Sequence, residues 1–135
     1  MKKFFSKKWI GSTQPRKQRK YRSNAPLHIK RKLLAAHVSK ALRKEINKRS
    51  MVVRKGDEVM VMRGEFRGKK GVVSDVSLRK SKILIDSIKR KKVSGQEVMV
   101  PTDPSNIQIT KLSMEDKMRR RIVGRIHKTG LRKEK

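Results

Sequence analysis

The segment Arg63-Gly64-Glu65-Phe66-Arg67-Gly68-Lys69-Lys70-Gly71 sets three glycines among four cations. Glycine permits a positive φ and a close backbone approach, so such a loop can lay N–H groups and cations against a phosphate chain. It is not a Walker loop, which needs four residues between its glycines and a hydroxyl after the lysine. A second cluster, Arg16, Lys17, Arg19, Lys20 and Arg22, surrounds Tyr21, and a third follows as Lys30, Arg31 and Lys32. Cations interleaved with aromatic rings suit RNA, where rings stack on unpaired bases and guanidinium groups neutralise phosphates. Catalytic chemistry has no such concentration. His28, His37 and His127 stand apart without acids at ligand spacing, and cysteine is absent, which removes thiolate metal sites, thiol nucleophiles and disulfides together. We therefore expect no catalytic residue, no metal site, no small-molecule substrate and no cofactor.

The overall charge agrees with that reading. The chain has 135 residues with 40 Lys or Arg against 11 Asp or Glu, a formal net charge of +29. Self-repulsion on this scale opposes compaction unless a polyanion neutralises it. The charge is also unevenly placed. Residues 1–50 hold 17 basic and 1 acidic residue, 51–112 hold 14 and 7, and 113–135 hold 9 and 3. Large apolar residues run the other way, with 19 of the 33 Leu, Ile, Val and Phe in 51–112. Only the middle segment is expected to bury a core of its own, close to the lower size limit for independent folding. No run approaches a membrane span or the apolar core of a signal peptide, so a soluble, intracellular protein is expected.

The elements that must carry these clusters follow from periodicity. Residues 1–24 show no regular period and read as a basic arm, with Lys2, Lys3, Lys7 and Lys8 ahead of the second cluster. Four of the five aromatics, Phe4, Phe5, Trp9 and Tyr21, lie in it; base stacking is the expectation, docking on the folded domain the alternative. Residues 25–50 read as one basic amphipathic helix entered at Pro26, with Leu34, Val38, Ala41, Leu42 and Ile46 on one face and an end near Asn47. From Met51 the period changes to two. Strands at 57–62, 70–76, 81–86, 97–100 and 106–110, separated by turn residues, indicate a small antiparallel barrel over 51–112. Ser113 with Glu115 and Asp116 then reads as the start of a short basic helix and loose tail, carrying Lys117, Arg119, Arg120, Arg121 and Arg125.

The stretch from Lys55 through Gly64 and on to Val73 resembles a KOW motif, the opening hairpin of an SH3-like barrel. The resemblance extends to Gln14–Tyr21, Asn24-Ala25-Pro26-Leu27-His28, Lys30–Lys32, Ser39-Lys40, Leu42-Arg43, Asp103–Asn106 and Ile109–Leu112. Together these blocks resemble the KOW-containing family of the large ribosomal subunit, number twenty-four in the universal naming, in its archaeal and eukaryotic form. Met1 to Trp9 match no part of that pattern. The resemblance implies a mainly β fold and a structural protein that binds large-subunit rRNA near its 5′ region, assists early assembly and lies near the polypeptide exit. Carried over by position, Arg16, Lys17, Arg19, Lys20, Tyr21, Arg22, Lys30, Arg31, Lys32, Arg63, Gly64, Arg67, Gly68, Lys69 and Lys70 would touch RNA. Its partners would be that rRNA, neighbouring subunit proteins and nascent-chain factors at the exit, with Mg ions present only as part of the RNA. A KOW module of transcription elongation, binding polymerase and nascent RNA, is the competing reading, and a nucleoid-packaging protein a third.

Overall fold

The computed structural model describes residues 4–130, with side chains through Gly124. Lys2, Lys3, the expected tail from Leu131 and the Arg125 side chain lie outside the described residues. In chain order the protein runs through a 3-10 turn (Lys7–Gly11), α1 (Pro15–Asn24), α2 (Leu27–Leu33), β1 (Ala35–Val38), α3 (Lys40–Ile46), β2 (Ser50–Val52), β3 (Glu58–Val61) and β4 (Lys70–Ser77). It continues through β5 (Lys82–Ile85), β6 (Lys89–Lys91), β7 (Glu97–Met99), a 3-10 turn (Pro104–Asn106), β8 (Ile107–Lys111) and α4 (Lys117–Gly130).

Branched apolar residues at alternate positions build the body. Val59 and Val61 on β3, Ile83 and Ile85 on β5, and Ile107 and Ile109 on β8 are all buried on one side of a six-stranded sheet. The sheet order is β2-β1-β8-β3-β4-β5. Register shifts at Glu58/Val59 and Val73/Asp75 mark bulges, which bend a sheet around its own core. The body is strand-rich, mainly β and SH3-like, with its sheet not closed. The outer side of β5 is partly covered where Ile83 and Thr102 exchange backbone hydrogen bonds of 2.9 and 2.8 Å.

Several sequence expectations need correction. The single helix over 25–50 is instead α2, β1 and α3. Leu34, Ala36 and Val38 enter the barrel core, and β1 pairs with β2 and, in parallel, with β8, so tertiary pairing overrides the helical period and moves the body's boundary back from 51 to about 34. The parallel pair also means that the body is not wholly antiparallel. α3 is a helix because Ser39 caps it, accepting from the Leu42 N–H at 3.3 Å, and Asn47 ends it in the left-handed region at φ 47°.

Residues 15–24 form a helix rather than an irregular arm. Pro15 occupies its first turn, and Tyr21, Ala25 and Ile29, four residues apart, make a satellite core with Phe5. Of the five expected strands, 97–100 leaves the barrel: β7 pairs only with β6, which was not expected, as a separate two-stranded ribbon.

The start of the C-terminal helix also differs from expectation. Ser113 does not begin it; its N–H donates to Asp57 Oδ1 at 3.0 Å, while Asp116 accepts from the Met118 N–H at 2.9 Å and serves the first turn.

Candidate nucleic-acid interface

The loop between β3 and β4 is held in shape by its own backbone. Gly64 and Gly68 have φ of 92° and 86°, where a side chain would be strained. The Arg67 N–H donates to Gly64 O at 3.1 Å, Gly68 to Val61 O at 2.8 Å and Lys69 to Phe66 O at 3.1 Å. Phe66 turns inward and packs against the core, with the Lys69 ammonium 5.2 Å from its ring centre. Arg63, Gly64, Arg67, Gly68, Lys69 and Lys70 are exposed. Four cations are therefore presented on a turn that is formed before any partner arrives, which lowers the ordering cost of binding.

Beside this loop stands a feature that the sequence reading did not single out. Lys89, Arg90, Lys91 and Lys92 are all exposed on the β6–β7 ribbon, and Arg90 forms an ion pair with Glu65 in the loop. That pair joins the two cationic hairpins into one surface. The signal was present as four consecutive cations. Nothing in the sequence said that they would fold next to Glu65.

Lys30, Arg31 and Lys32 lie elsewhere. The Lys30 ammonium reaches Arg79 O at 3.5 Å, beyond the Ser77 end of β4, whereas the loop joins β4 at Lys70. The eight residues of β4 put roughly 20 Å of strand between the two clusters. A groove runs beside Arg31, lined also by Val52, Arg54, Asp116 and Arg119, with adjoining cavities of 440 and 690 Å³. Arg54 pairs with Asp116 there. Its guanidinium is drawn below its ordinary value by burial first and then by the like charges of Arg31 and Arg119, with Asp57 opposing them.

Arg119, read from sequence as one of several cations on a basic helix, is not available to RNA. It is buried and donates to both carboxylate oxygens of Asp57, at 2.5 and 2.8 Å. Asp57 accepts from the N–H groups of Arg54 and Ser113 as well. This fixes α4 to the barrel at the strand entry that precedes the loop.

In α1, Arg16, Lys17, Arg19, Lys20 and Arg22 are exposed. Tyr21 is not: it is 4% exposed, and Phe5 lies 5.2 Å from it, centre to centre. In this packing Tyr21 anchors the arm, and stacking of its ring on a base would require the satellite core to open. Its ring packs with Ala25 and Ile29 across the extended link at Ala25-Pro26 that separates α1 from α2. Among the described residues no group of His, Asp or Glu could hold a metal ion, and no helix is long and apolar enough to cross a membrane.

Comparison with known proteins places these features in a family. The family of eukaryotic ribosomal proteins L26 and their archaeal L24 counterparts matches residues 12–126. The large ribosomal subunit protein uL24 of Methanosarcina barkeri is 50% identical over 108 residues, covering 80% of this chain and 93% of its own length. A protein of the same name from Methanocorpusculum labreanum is 47% identical over 110 residues, covering 82% and 91%.

Proposed function

The chain belongs to the ribosomal protein family that comprises L26 of eukaryotes and L24 of archaea, and from that premise we propose that it binds large-subunit rRNA directly and helps to fold that RNA early in assembly. It is a structural, non-enzymatic constituent of the large ribosomal subunit and works in cytoplasmic ribosomes. The finer reading is that it sits near the 5′ region of the rRNA and beside the polypeptide exit, among neighbouring subunit proteins and nascent-chain factors. Its mechanism is phosphate neutralisation on a preformed shape. It calls for no cofactor of its own, and Mg ions enter only with the RNA.

The observation that carries the reading is the pairing of the Arg63–Lys70 loop with the β6–β7 ribbon through Glu65 and Arg90. Two rigid, cationic hairpins side by side can follow a folded phosphate backbone without ordering themselves first. If about ten cations reach phosphates, filter binding to rRNA fragments across a salt series gives a log–log slope of about −7 to −9. A flat response overturns the reading. Retention on large subunits through a high-salt wash separates it from a transcription module, which would follow polymerase instead.

A further inference from the structure

The four aromatics of the arm divide into two kinds. Tyr21 and Phe5 face the satellite core. Trp9 meets Phe5 only in a T-shaped contact, with ring centres 6.4 Å apart and planes at 68°, and it is 36% exposed. It lines a 360 Å³ cavity with Lys8, Ser12, Lys17 and Lys20. We propose that this cavity takes one unstacked nucleobase of single-stranded RNA on the Trp9 indole, with the adjoining phosphate held by Lys17 and Lys20. The proposal rests on the rRNA-binding reading and adds to it a site and a ligand class.

The cavity is built rather than incidental. Gln18 on α1 donates through Nε2 to the carbonyls of Ile10 at 3.0 Å and Ser12 at 2.5 Å, which staples the 3-10 turn to the helix. Within the turn the Ser12 N–H donates to Trp9 O at 3.2 Å, and Ser6 accepts from the Lys8 N–H. Lys17 and Lys20, three residues apart on a helix, fall on one side. Its volume is at the lower end of small-ligand pockets, room for a base together with part of its sugar and phosphate.

Charge selects the occupant. No acid occurs before Glu45, and the ion pairs formed among the described residues do not include Lys8, Lys17 or Lys20, so an anion is the complement. An aromatic face among cations is the arrangement that holds single-stranded nucleic acid through a base and its phosphate together. The Ser12 hydroxyl can meet the polar edge of the base. Phe4 and Ile10 are also exposed, at 87% and 64%, so an apolar protein partner is the rival occupant, and the experiment separates the two. Lys8 and Trp9 precede the family-matched residues 12–126, so membership of the family does not supply this site.

Trp9 is the only tryptophan of the chain, and the intact protein therefore reports on its own site. Full-length protein is titrated with a short oligouridylate, whose bases are unstacked, and separately with an RNA duplex of equal phosphate count, while anisotropy of labelled RNA follows binding. The expected result is strong quenching of tryptophan emission by the single strand and little by the duplex at equal saturation. Trp9→Ala then weakens oligouridylate binding about 5- to 150-fold, Trp9→Phe recovers most of the loss, and Lys17→Ala lowers the salt slope by about 0.7. Unchanged emission at saturating single strand overturns the proposal and leaves the exposed aromatic to an apolar protein partner, and equal quenching by both RNAs overturns it too. Steep, salt-dependent rRNA binding without quenching removes the pocket and leaves the proposed function standing. Absence of rRNA binding altogether removes the function itself.

Discussion

Asp57 shows how one residue can join three parts of the chain. Its carboxylate accepts from the N–H groups of Arg54 and Ser113 and from two nitrogens of Arg119, which links the end of β2, the approach to α4 and α4 itself. In sequence, Asp57-Glu58 reads as charge at a strand start and Arg119 as one cation among many. Their partnership was not legible, because 62 positions separate them and neither type is normally buried. Removal of one partner from a buried pair strands the other, so Arg119→Ala should destabilise by about 3–5 kcal/mol, a large share of the roughly 5–15 kcal/mol available to a small domain. Arg119→Lys should recover only part, since one ammonium cannot serve both oxygens in fork geometry. Urea unfolding monitored by circular dichroism gives the comparison, with the exposed Arg120→Ala expected within about 0.5 kcal/mol of wild type; equal effects at the two positions would remove the lock. Gly71 supplies a second test. A Cβ there would stand 2.8 Å from Ile85 Cγ2 and closer still to Ser87, so Gly71→Ala should cost about 1–3 kcal/mol through overpacking of β4 against β5.

Among the elements, β3, β4, β5 and β8 of the body were legible, whereas β1, β2 and the division of the helices were not. Alternating Val and Ile at 57–62, 81–86 and 106–110 specify both a strand and its buried face, because the period of two survives in any partner arrangement. Leu34, Val38, Leu42 and Ile46 instead satisfy a helical period by coincidence: Val38 is buried as part of β1, and Ile46 as part of α3. In α1 the opposite error arises, since five cations in ten residues mask its helical character, and the packing of Tyr21 on Ala25 and Ile29 spans two helices and the extended link between them. Of the candidate site, the loop was readable from its glycines, while the ribbon and its Arg90–Glu65 link were not, since the partner hairpin is known only once the sheet is folded. The loop and ribbon should act as one binding element. Changing Arg67, Lys69 and Lys70 together to Ala should reduce the rRNA salt slope by about 2–3. It should barely alter the melting temperature, because the Lys69–Phe66 contact is worth only about 0.5–1 kcal/mol at an exposed site. Adding Lys89→Ala, Lys91→Ala and Lys92→Ala should lower the slope further by a similar amount. Unchanged affinity in the six-fold variant, with its fold intact by circular dichroism, would take both hairpins out of the interface.

At the scale of the whole molecule, the charge of +29 has opposite consequences for the free and bound protein. In the free chain 29 positive charges lack a counterpart, and among the described residues the ion pairs other than Asp57–Arg119 are partly exposed, each worth about 0–1 kcal/mol. Repulsion between surface cations is therefore the dominant long-range electrostatic effect on the fold. Salt shortens its range from about 30 Å at 0.01 M to about 3 Å at 1 M. The melting temperature of the free protein should accordingly rise with NaCl over the first few hundred millimolar, most of all where α1 and α2 hold eight cations and no acid. Affinity for rRNA should fall steeply over the same range, because counter-ion release is the main gain on binding. The two trends share one cause, so neutralising Arg16, Arg19 and Arg22 as Gln should weaken both together, raising the low-salt melting temperature while lowering the binding slope by about 2–3. Scanning calorimetry and filter binding on the same variant across the same salt series provide the check. A melting temperature that falls with salt would show that local ion pairs, and not the net charge, govern the free fold.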